Sequence, residues 1–266
     1  MSKMKRLDGK VAIITGAGSG MGRGIALRFA EEGAVVVIPD INLTAAQETQ
    51  GNIESQGGRS LALRVDVSKG QDVERMVEQV TSELGRIDIL VNNAGVQVRK
   101  PLLETTEEEW DWVLAVNLRG VFLCIKHVVP QMIKVGGGKI INISSTGGLM
   151  GFVAPAYTAS KGGIISMTRV LAGEFASHRI NVNTNCPGFC STSMNENVRK
   201  TALGEIIRKK IPWGRWGVPA DFAAMALFLA SEEADYVTGA IIPVDGGLTS
   251  FVDLGEELAS FDRKKA

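Results

Sequence analysis

Short runs of β-branched residues alternate along the chain with longer amphipathic stretches, and few architectures accommodate that alternation. Segments 11–15, 35–38, 60–65, 87–91, 139–143 and 180–183 predict strands. The stretches near 20–33, 42–56, 70–84, 106–134 and 155–177 predict helices between them. Several of the strands are apolar almost without interruption, as a strand covered on both faces must be. Strand, helix, strand, repeated, implies right-handed crossovers and a doubly wound parallel α/β sheet with helices on both faces. Residues 219–231 are apolar nearly all round and are expected to be buried in the core or an interface. No linker, repeat or low-complexity tract divides the chain, so a single domain is expected over 1–247, with a lid region inserted at 189–213. The tail 248–266 carries Phe251, Val252, Leu254, Leu258 and Phe261, enough apolar surface to dock; a frayed terminus is the alternative.

Composition excludes several classes of function. The 266 residues contain 29 basic and 29 acidic side chains, so no net charge draws the protein to nucleic acid or to an anionic membrane. The basic start, Met1-Ser-Lys-Met-Lys-Arg6, is followed by Leu-Asp-Gly-Lys rather than by the apolar core of a signal peptide. No apolar run approaches the roughly 20 residues of a bilayer span. Cys124, Cys186 and Cys190 lack metal-ligand spacing, and with only His127 and His178 to assist them no metal site is expected. Reduced thiols in a cytoplasmic protein are the simplest reading of them.

The first strand runs directly into Thr15-Gly-Ala-Gly-Ser-Gly-Met-Gly22 and then a helix starting near Met21. Glycines there let the backbone turn sharply and approach a pyrophosphate, whose charge the free amides of the helix start attract. The spacing is T-G-x-x-x-G-x-G, using Gly16, Gly20 and Gly22, and not the commoner G-x-G-x-x-G. A tight strand–helix connection is the bland alternative, but the position after the first strand of an alternating pattern favours a Rossmann-type dinucleotide site. Asp40 follows the second strand, where a carboxylate accepts both adenosine ribose hydroxyls of NAD and repels the 2′-phosphate of NADP. A helix-capping role for Asp40 is the competing reading, although Asn42 or Thr44 is available to cap instead.

Tyr157 and Lys161, in Ala156-Tyr-Thr-Ala-Ser-Lys161, lie four apart on a predicted helix and therefore on one face. A free phenol titrates near about pH 10, and a neighbouring ammonium is expected to favour the phenolate and bring it toward neutrality. The Ser144-Ser145 pair lies twelve to thirteen residues upstream. A base, a positive charge and a hydroxyl donor gathered beside a dinucleotide loop are what alcohol oxidation or ketone reduction requires.

In order along the chain, Thr15-Gly-x-x-x-Gly-x-Gly22, Asp66-Val67, Asn92-Asn-Ala-Gly95, Asn117, Ser145, Tyr157-x-x-x-Lys161 and Pro187-Gly188 resemble the short-chain dehydrogenase/reductase family over residues 7–247. Gly214-Arg-Trp-Gly217, Tyr236-Val-Thr-Gly239 and Asp245-Gly-Gly247 extend the likeness. The resemblance implies that Gly16, Ser19, Gly20, Met21 and Gly22 hold the cofactor pyrophosphate, and Asp40 its ribose. Asp66 would meet the adenine amino group and Val67 its ring, while Asn92, Asn93, Ala94 and Gly95 would line the adenosine side, their loop also stabilising the central sheet. Pro187, Gly188 and Thr192 would flank the nicotinamide, with Thr192 on its carboxamide. It further implies Tyr157 as proton carrier, Lys161 on the nicotinamide ribose, Ser145 on the substrate oxygen and Asn117 holding a water that links Lys161 to solvent. Ser144 is expected instead to bond backbone. Homotetramers built on the helices near 106–134 and 155–177 are the family's usual assembly.

Substrate recognition is expected from Gln97 and Arg99, Ser145, Tyr157, Phe189 and the surrounding segments 96–99, 147–152 and 193–213. The run Gly95-Val-Gln-Val-Arg-Lys-Pro101, with Pro212-Trp-Gly-Arg-Trp-Gly217, is similar to the subgroup acting on gluconate and related sugar acids, where Arg99 would meet a carboxylate. A solvated loop cation is the plainer reading of Arg99. Reductases of acyl-carrier-protein thioesters, the nearest alternative, favour NADP and carry an Arg where this chain has Gly173. Hydroxysteroid or other apolar alcohols, and a non-catalytic dinucleotide sensor, are the remaining alternatives. NAD, a small-molecule substrate and no nucleic-acid or membrane partner complete the expectation.

Overall fold

The computed structural model describes residues 5–151 and 154–251. Seven strands form one parallel sheet: β1 (Val11–Ile14), β2 (Val35–Asp40), β3 (Arg59–Arg64), β4 (Ile89–Asn92), β5 (Gly138–Ile143), β6 (Ile180–Pro187) and β7 (Ile241–Val244). Their order is β3-β2-β1-β4-β5-β6-β7, so the chain reverses its direction of travel between β1 and β4. At such a reversal the strand ends splay and leave a crevice at their carboxyl side.

Helices α1 (Gly20–Glu31), α2 (Leu43–Glu54) and α3 (Gly70–Leu84) follow the first three strands. After β4 come α4 (Glu107–Leu114) and α5 (Gly120–Lys134), and after β5 comes α6 (Pro155–Phe175). Two short helices, α7 (Glu196–Arg199) and α8 (Ala202–Lys210), and then α9 (Pro219–Ala230) separate β6 from β7. Successive strand residues point to opposite faces. Ile14, Ile38 and Val91 accordingly pack with Ile25, Phe29, Ile53 and Leu227 on the α1, α2 and α9 side. Ile13, Val37 and Leu90 pack with Val73, Met76, Val128 and Ile164 on the other. Each such fully buried side chain contributes about 1.5–3 kcal/mol.

The structure departs from the sequence expectation at two elements. β7 was not anticipated, because four residues containing Pro243 make a weak strand signal; the strand is tolerated at the sheet margin, where proline costs no shared ladder bond on its outer side. The helix expected over 106–134 is interrupted by a wide, π-type turn at Ala115–Arg119. That composite, Glu107–Lys134, is long and apolar enough to cross a bilayer by length and composition, which corrects the expectation that no apolar run reaches that length. Here Val121, Cys124, Val128 and Met132 of it are buried in the core. The helix expected to be apolar all round, α9, buries Phe222, Ala226, Leu227 and Ala230 and packs along α1. Of the tail, Val252, Leu254, Leu258 and Phe261 lie outside the described residues, as does Phe152 of the expected pocket wall.

A buried polar chain runs across the sheet centre. Asn92 donates to Asn142 (2.9 Å), Asn142 to Thr168 (3.0 Å), and Thr168 pairs with Thr184 (2.7 Å). Asn92 is therefore turned into the core, in the sheet-stabilising part expected of its loop, and does not line the adenosine side, which corrects that half of the reading. These bonds satisfy buried amide and hydroxyl groups that would otherwise be costly, although Asn92 Oδ1 has no partner among the described residues.

Candidate active site

The Gly-rich turn is fixed by contacts that leave no room for a side chain. Gly16 and Gly20 have φ of 66° and 54°, in the left-handed region that glycine enters without strain. A Cβ on Gly22 would stand 2.4 Å from the Gly16 carbonyl oxygen. Thr15 Oγ1 accepts from the amides of Asn93 and Ala94, each at 3.0 Å, and Asn93 Nδ2 donates to the carbonyls of Thr15 (2.9 Å) and Gly16 (3.1 Å). The loop after β1 and the loop after β4 thus hold each other open across the crevice. Ser19 caps α1 in extended conformation with no side-chain hydrogen bond, leaving the first amides of the helix directed at the cleft.

Asp40 closes the far end of this arm. Its Oδ2 accepts from the Gly18 amide and its Oδ1 from the Asn42 amide, both at 2.9 Å. Asn42 is the residue that caps α2, accepting from the Ala45 amide at 3.2 Å. The capping explanation of Asp40 thereby falls, and its carboxylate remains at the cleft wall. Asp66 lies beyond it. Burial pushes its carboxyl up, but the hydroxyl and amide of Ser68 and the nearby Lys69 ammonium outweigh burial and hold it below the ordinary carboxylate range. Val67 is buried against Gly120, whose absent Cβ would stand 3.0 Å from it.

The second arm carries the reactive groups. Ser145, just after β5, and Tyr157 and Lys161, in the first turns of α6, converge on the same crevice. Burial pushes the Tyr157 phenol above its ordinary value, while the Ser145 hydroxyl hydrogen bond and the Arg99 charge pull it down. Burial brings the Lys161 ammonium down to about 8. This differs from the sequence expectation that Lys161 lowers the phenol. The ammonium donates to the Ile143 carbonyl (2.8 Å) and stands 5.6 Å from the centre of the Tyr157 ring, so its charge is directed at the backbone of β5. Ser144 turns away and donates to the Lys161 carbonyl at 2.8 Å, the backbone-bonding part expected of it.

Asn117 sits on the wide turn between α4 and α5, fully buried. Its Oδ1 accepts from the Val96 amide (2.8 Å), and its Nδ2 donates to the Val96 carbonyl (2.9 Å) and to Ser160 Oγ (3.1 Å). Ser160 donates in turn to the Tyr157 carbonyl at 2.7 Å. The carboxamide therefore pins the loop after β4 to the first turn of α6. Ser160 was not singled out from the sequence, where a serine inside a helix carries no mark. Between these groups Gly95 leaves space: a Cβ there would lie 3.4 Å from Asn117 Oδ1 and 3.5 Å from Lys161 Nζ.

One crevice of about 470 Å³ is lined by Gly16, Ser19, Gly20, Met21 and Gly22 at one end and by Ser145, Tyr157, Lys161, Pro187, Gly188 and Thr192 at the other. Asp40, Asp66, Val67, Asn93, Ala94 and Gly95 line it between. Every cofactor residue expected from the sequence thus faces a single cleft, except Asn92. The two arms approach each other at Gly20, whose added Cβ would meet the Thr192 methyl at 3.5 Å.

A smaller recess of about 70 Å³ adjoins Tyr157 and is lined by Gln97, Arg99, Ser145, Gly147, Phe189 and Asn195, among others. Arg99 Nε donates to Gln97 Oε1 (3.1 Å), and its terminal nitrogen donates to Asn195 Oδ1 on the segment after β6. Asn195 Nδ2 donates to the Cys190 carbonyl at 2.9 Å. Arg99 is thus exposed and held by two neutral carboxamides. Phe189 meets Trp216 edge-on, ring centres 5.2 Å apart, which anchors the base of this segment. The apolar residues expected to cover the site are less enclosed: Met194 faces the recess, but Ile206 and Trp213 are exposed.

Residues 16–249 match a family model described as enoyl-(acyl carrier protein) reductase. A 3-oxoacyl-(acyl-carrier-protein) reductase of Thermotoga maritima is 43% identical over 244 residues, covering 91% of this chain and 99% of the relative. A 2-dehydro-3-deoxy-D-gluconate 5-dehydrogenase of Dickeya dadantii is 43% identical over 244 residues, covering 91% and 96%. The crystal structure of a gluconate 5-dehydrogenase from Burkholderia cenocepacia, in complex with NADP and tartrate, is 37% identical with a TM-score of 0.90, covering 94% of this chain and 98% of that one. With the parallel sheet, its cleft and these matches over nearly its whole length, the chain belongs to the short-chain dehydrogenase/reductase family of oxidoreductases.

Proposed function

We propose that this enzyme interconverts a secondary alcohol and a ketone with NAD(H), acting on a small polar polyol, sugar or sugar acid. The observation that carries the reading is the recess beside Tyr157, whose walls present Gln97, Arg99 and Asn195 together with the Ser145 hydroxyl. Polar donors at that density suit a hydroxylated substrate better than a steroid or a long acyl chain.

In the direction of oxidation, Tyr157 accepts the hydroxyl proton and Ser145 donates a hydrogen bond to the substrate oxygen as charge develops on it. Lys161, placed for the nicotinamide ribose, keeps a positive charge near the proton carrier. Asn117 holds the Val96 loop and, through a bound water, would pass protons outward. Asp40 accepts the adenosine ribose hydroxyls, Asp66 and Val67 take the adenine, the Gly16–Gly22 turn and Ser19 take the pyrophosphate, and Thr192 takes the carboxamide. When bound, the nicotinamide supplies the hydride acceptor or donor. Reduction runs the same proton path in reverse.

The relative named a 3-oxoacyl-(acyl-carrier-protein) reductase supports a second reading, reduction of a 3-oxoacyl thioester. Against it stands Gly173 on α6, where the reductases of acyl-carrier-protein thioesters carry an Arg and where a Cβ would meet nothing within 4 Å. Phe122, Ile133 and Val170, exposed on α5 and α6, support a homotetramer built on those helices. The buried free thiols Cys124, Cys186 and Cys190 suit the cytoplasm.

The deciding experiment is a panel of polyols, sugar acids, apolar secondary alcohols and a 3-oxoacyl thioester, followed by the absorbance of the reduced cofactor. Turnover of polar alcohols with NAD is expected. Arg99→Ala should then raise KM for acids by about ten- to a hundredfold, the loss of a charged hydrogen bond, and leave neutral polyols nearly unaffected. Turnover of only the thioester or only apolar alcohols overturns the substrate assignment.

A further inference from the structure

Charge is sorted unevenly around the recess beside Tyr157. Among the described residues that line it, Arg99 is the single formally charged side chain, and Gln97, Ser145, Thr146, Phe189, Met194 and Asn195 make neutral walls. The charged residues next to Arg99 and Asn195 in the chain are taken up elsewhere: Lys100 pairs with Glu109, and Glu196 with Lys200 at 2.6 Å. Arg23, Arg75, Arg86, Arg208 and Arg215 each pair with a carboxylate. Arg99 does not. It is held by Gln97 Oε1 (3.1 Å) and Asn195 Oδ1, and meets no carboxylate among the described residues.

The carboxamide of Asn195 has one way to face. Its Nδ2 donates to the Cys190 carbonyl (2.9 Å), an atom that only accepts, so its Oδ1 is turned to the guanidinium. A carboxamide oxygen carries only a partial charge, so it fixes the direction of an N–H group and leaves the charge of the ion uncompensated. The N–H groups not used by Gln97 and Asn195 remain on a planar fork whose geometry matches a carboxylate. Holding that fork in advance lowers the side-chain entropy lost when an anion docks.

We infer that Asn195 is a specificity-determining positioning residue: it orients Arg99 without neutralising it, so that the recess prefers a substrate carboxylate to a neutral hydroxymethyl group in the same place. This rests on the recess being the substrate site, as proposed above. Asn195→Asp keeps the length of the side chain and sets a carboxylate against the guanidinium, filling from within the position that an anionic substrate takes. Asn195→Ala frees the guanidinium and leaves its charge.

Gluconate and glucitol differ only in a carboxylate against a hydroxymethyl group, and their calorimetric titration onto the enzyme saturated with its reduced nicotinamide cofactor tests this without turnover. The wild type should bind gluconate more tightly, with a preference that shrinks as salt is raised. Asn195→Asp should raise Kd for gluconate by about tenfold or more and leave glucitol and cofactor affinity unchanged, whereas Asn195→Ala should raise it by about threefold. Equal wild-type affinity for the two ligands overturns the inference while leaving the polar-substrate reading intact. So does a gluconate affinity that Asn195→Asp does not alter. Equal losses for both ligands, or a loss in Asn195→Ala as large as in Asn195→Asp, would mean that Asn195 only shapes the loop. A wild type that binds neither ligand overturns the polar-substrate reading, and this inference with it.

Discussion

At the scale of single residues, Lys161 carries the clearest electrostatic signature. Its ammonium is buried and titrates at about 8, below the ordinary lysine value of 10.5. A lowered lysine gives up its proton in the folded state at a pH where the unfolded chain still holds it. Between about pH 8 and pH 10.5 the unfolded state thus binds more protons, and stability should rise with pH. Below that window the cost of the buried charge is felt in full. The raised phenol of Tyr157 acts in the opposite sense, but only above its ordinary value near 10. Urea midpoints measured between about pH 7.5 and pH 10 should therefore climb more steeply for wild type than for Lys161→Met; parallel curves would contradict the burial of a titrating ammonium. That Ser145, Tyr157, Lys161 and Asp40 line one crevice was expected from their spacing and, for Ser145, from the family resemblance. The direction of the phenol shift was not. Spacing on a helix says that Lys161 is near Tyr157, but not that the Ile143 carbonyl captures its ammonium. Asn195, which holds Arg99, lies in a polar stretch where one more asparagine carries no mark.

At the scale of elements, the turn after β1 and the wide turn before α5 do most to shape the site. Gly18 illustrates the first. A Cβ there would lie 2.7 Å from Asp40 Oδ2 and 3.0 Å from the Ala45 Cβ, so alanine must push the carboxylate off the Gly18 amide. Gly18→Ala is expected to weaken NAD by about tenfold or more, the cost of disturbing a charge-assisted hydrogen bond. Calorimetric titration checks it, and unchanged affinity would mean that Asp40 makes no ribose contact. The alternation of strands and helices, and the glycines of this turn, could be read because periodicity and φ restrictions act locally. The wide turn at Ala115–Arg119 could not. Its residues, Ala-Val-Asn-Leu-Arg, are acceptable in an ordinary helix, and only the pull of Val96 and Ser160 on Asn117 distinguishes them. β7 escaped notice for a related reason: Ile241-Ile-Pro-Val244 becomes a strand through its pairing with β6, a partner nearly 60 residues earlier.

At the scale of the whole molecule, the strand order places every candidate group at the carboxyl edge of one sheet. The two arms of the cleft come from either side of the β1–β4 reversal. That convergence was foreseeable from the topology, whereas the assembly of the protein was foreseeable only from its family. The exposed Val170 on α6 gives a handle on assembly. If α6 lies at a subunit boundary, Val170→Asp buries a charge there and should reduce the mass seen by sedimentation equilibrium, whereas an unchanged mass would remove α6 from the interface. The central claim, that Tyr157 moves the substrate proton in an alcohol–ketone interconversion, meets its most direct test in Tyr157→Phe. The variant keeps the ring and its packing and loses only the hydroxyl. On the best alcohol from the panel, kcat should fall by about 10²–10⁴-fold or more while calorimetric NAD affinity stays at the wild-type value. Turnover at the wild-type rate would contradict the mechanism and remove Tyr157 from it.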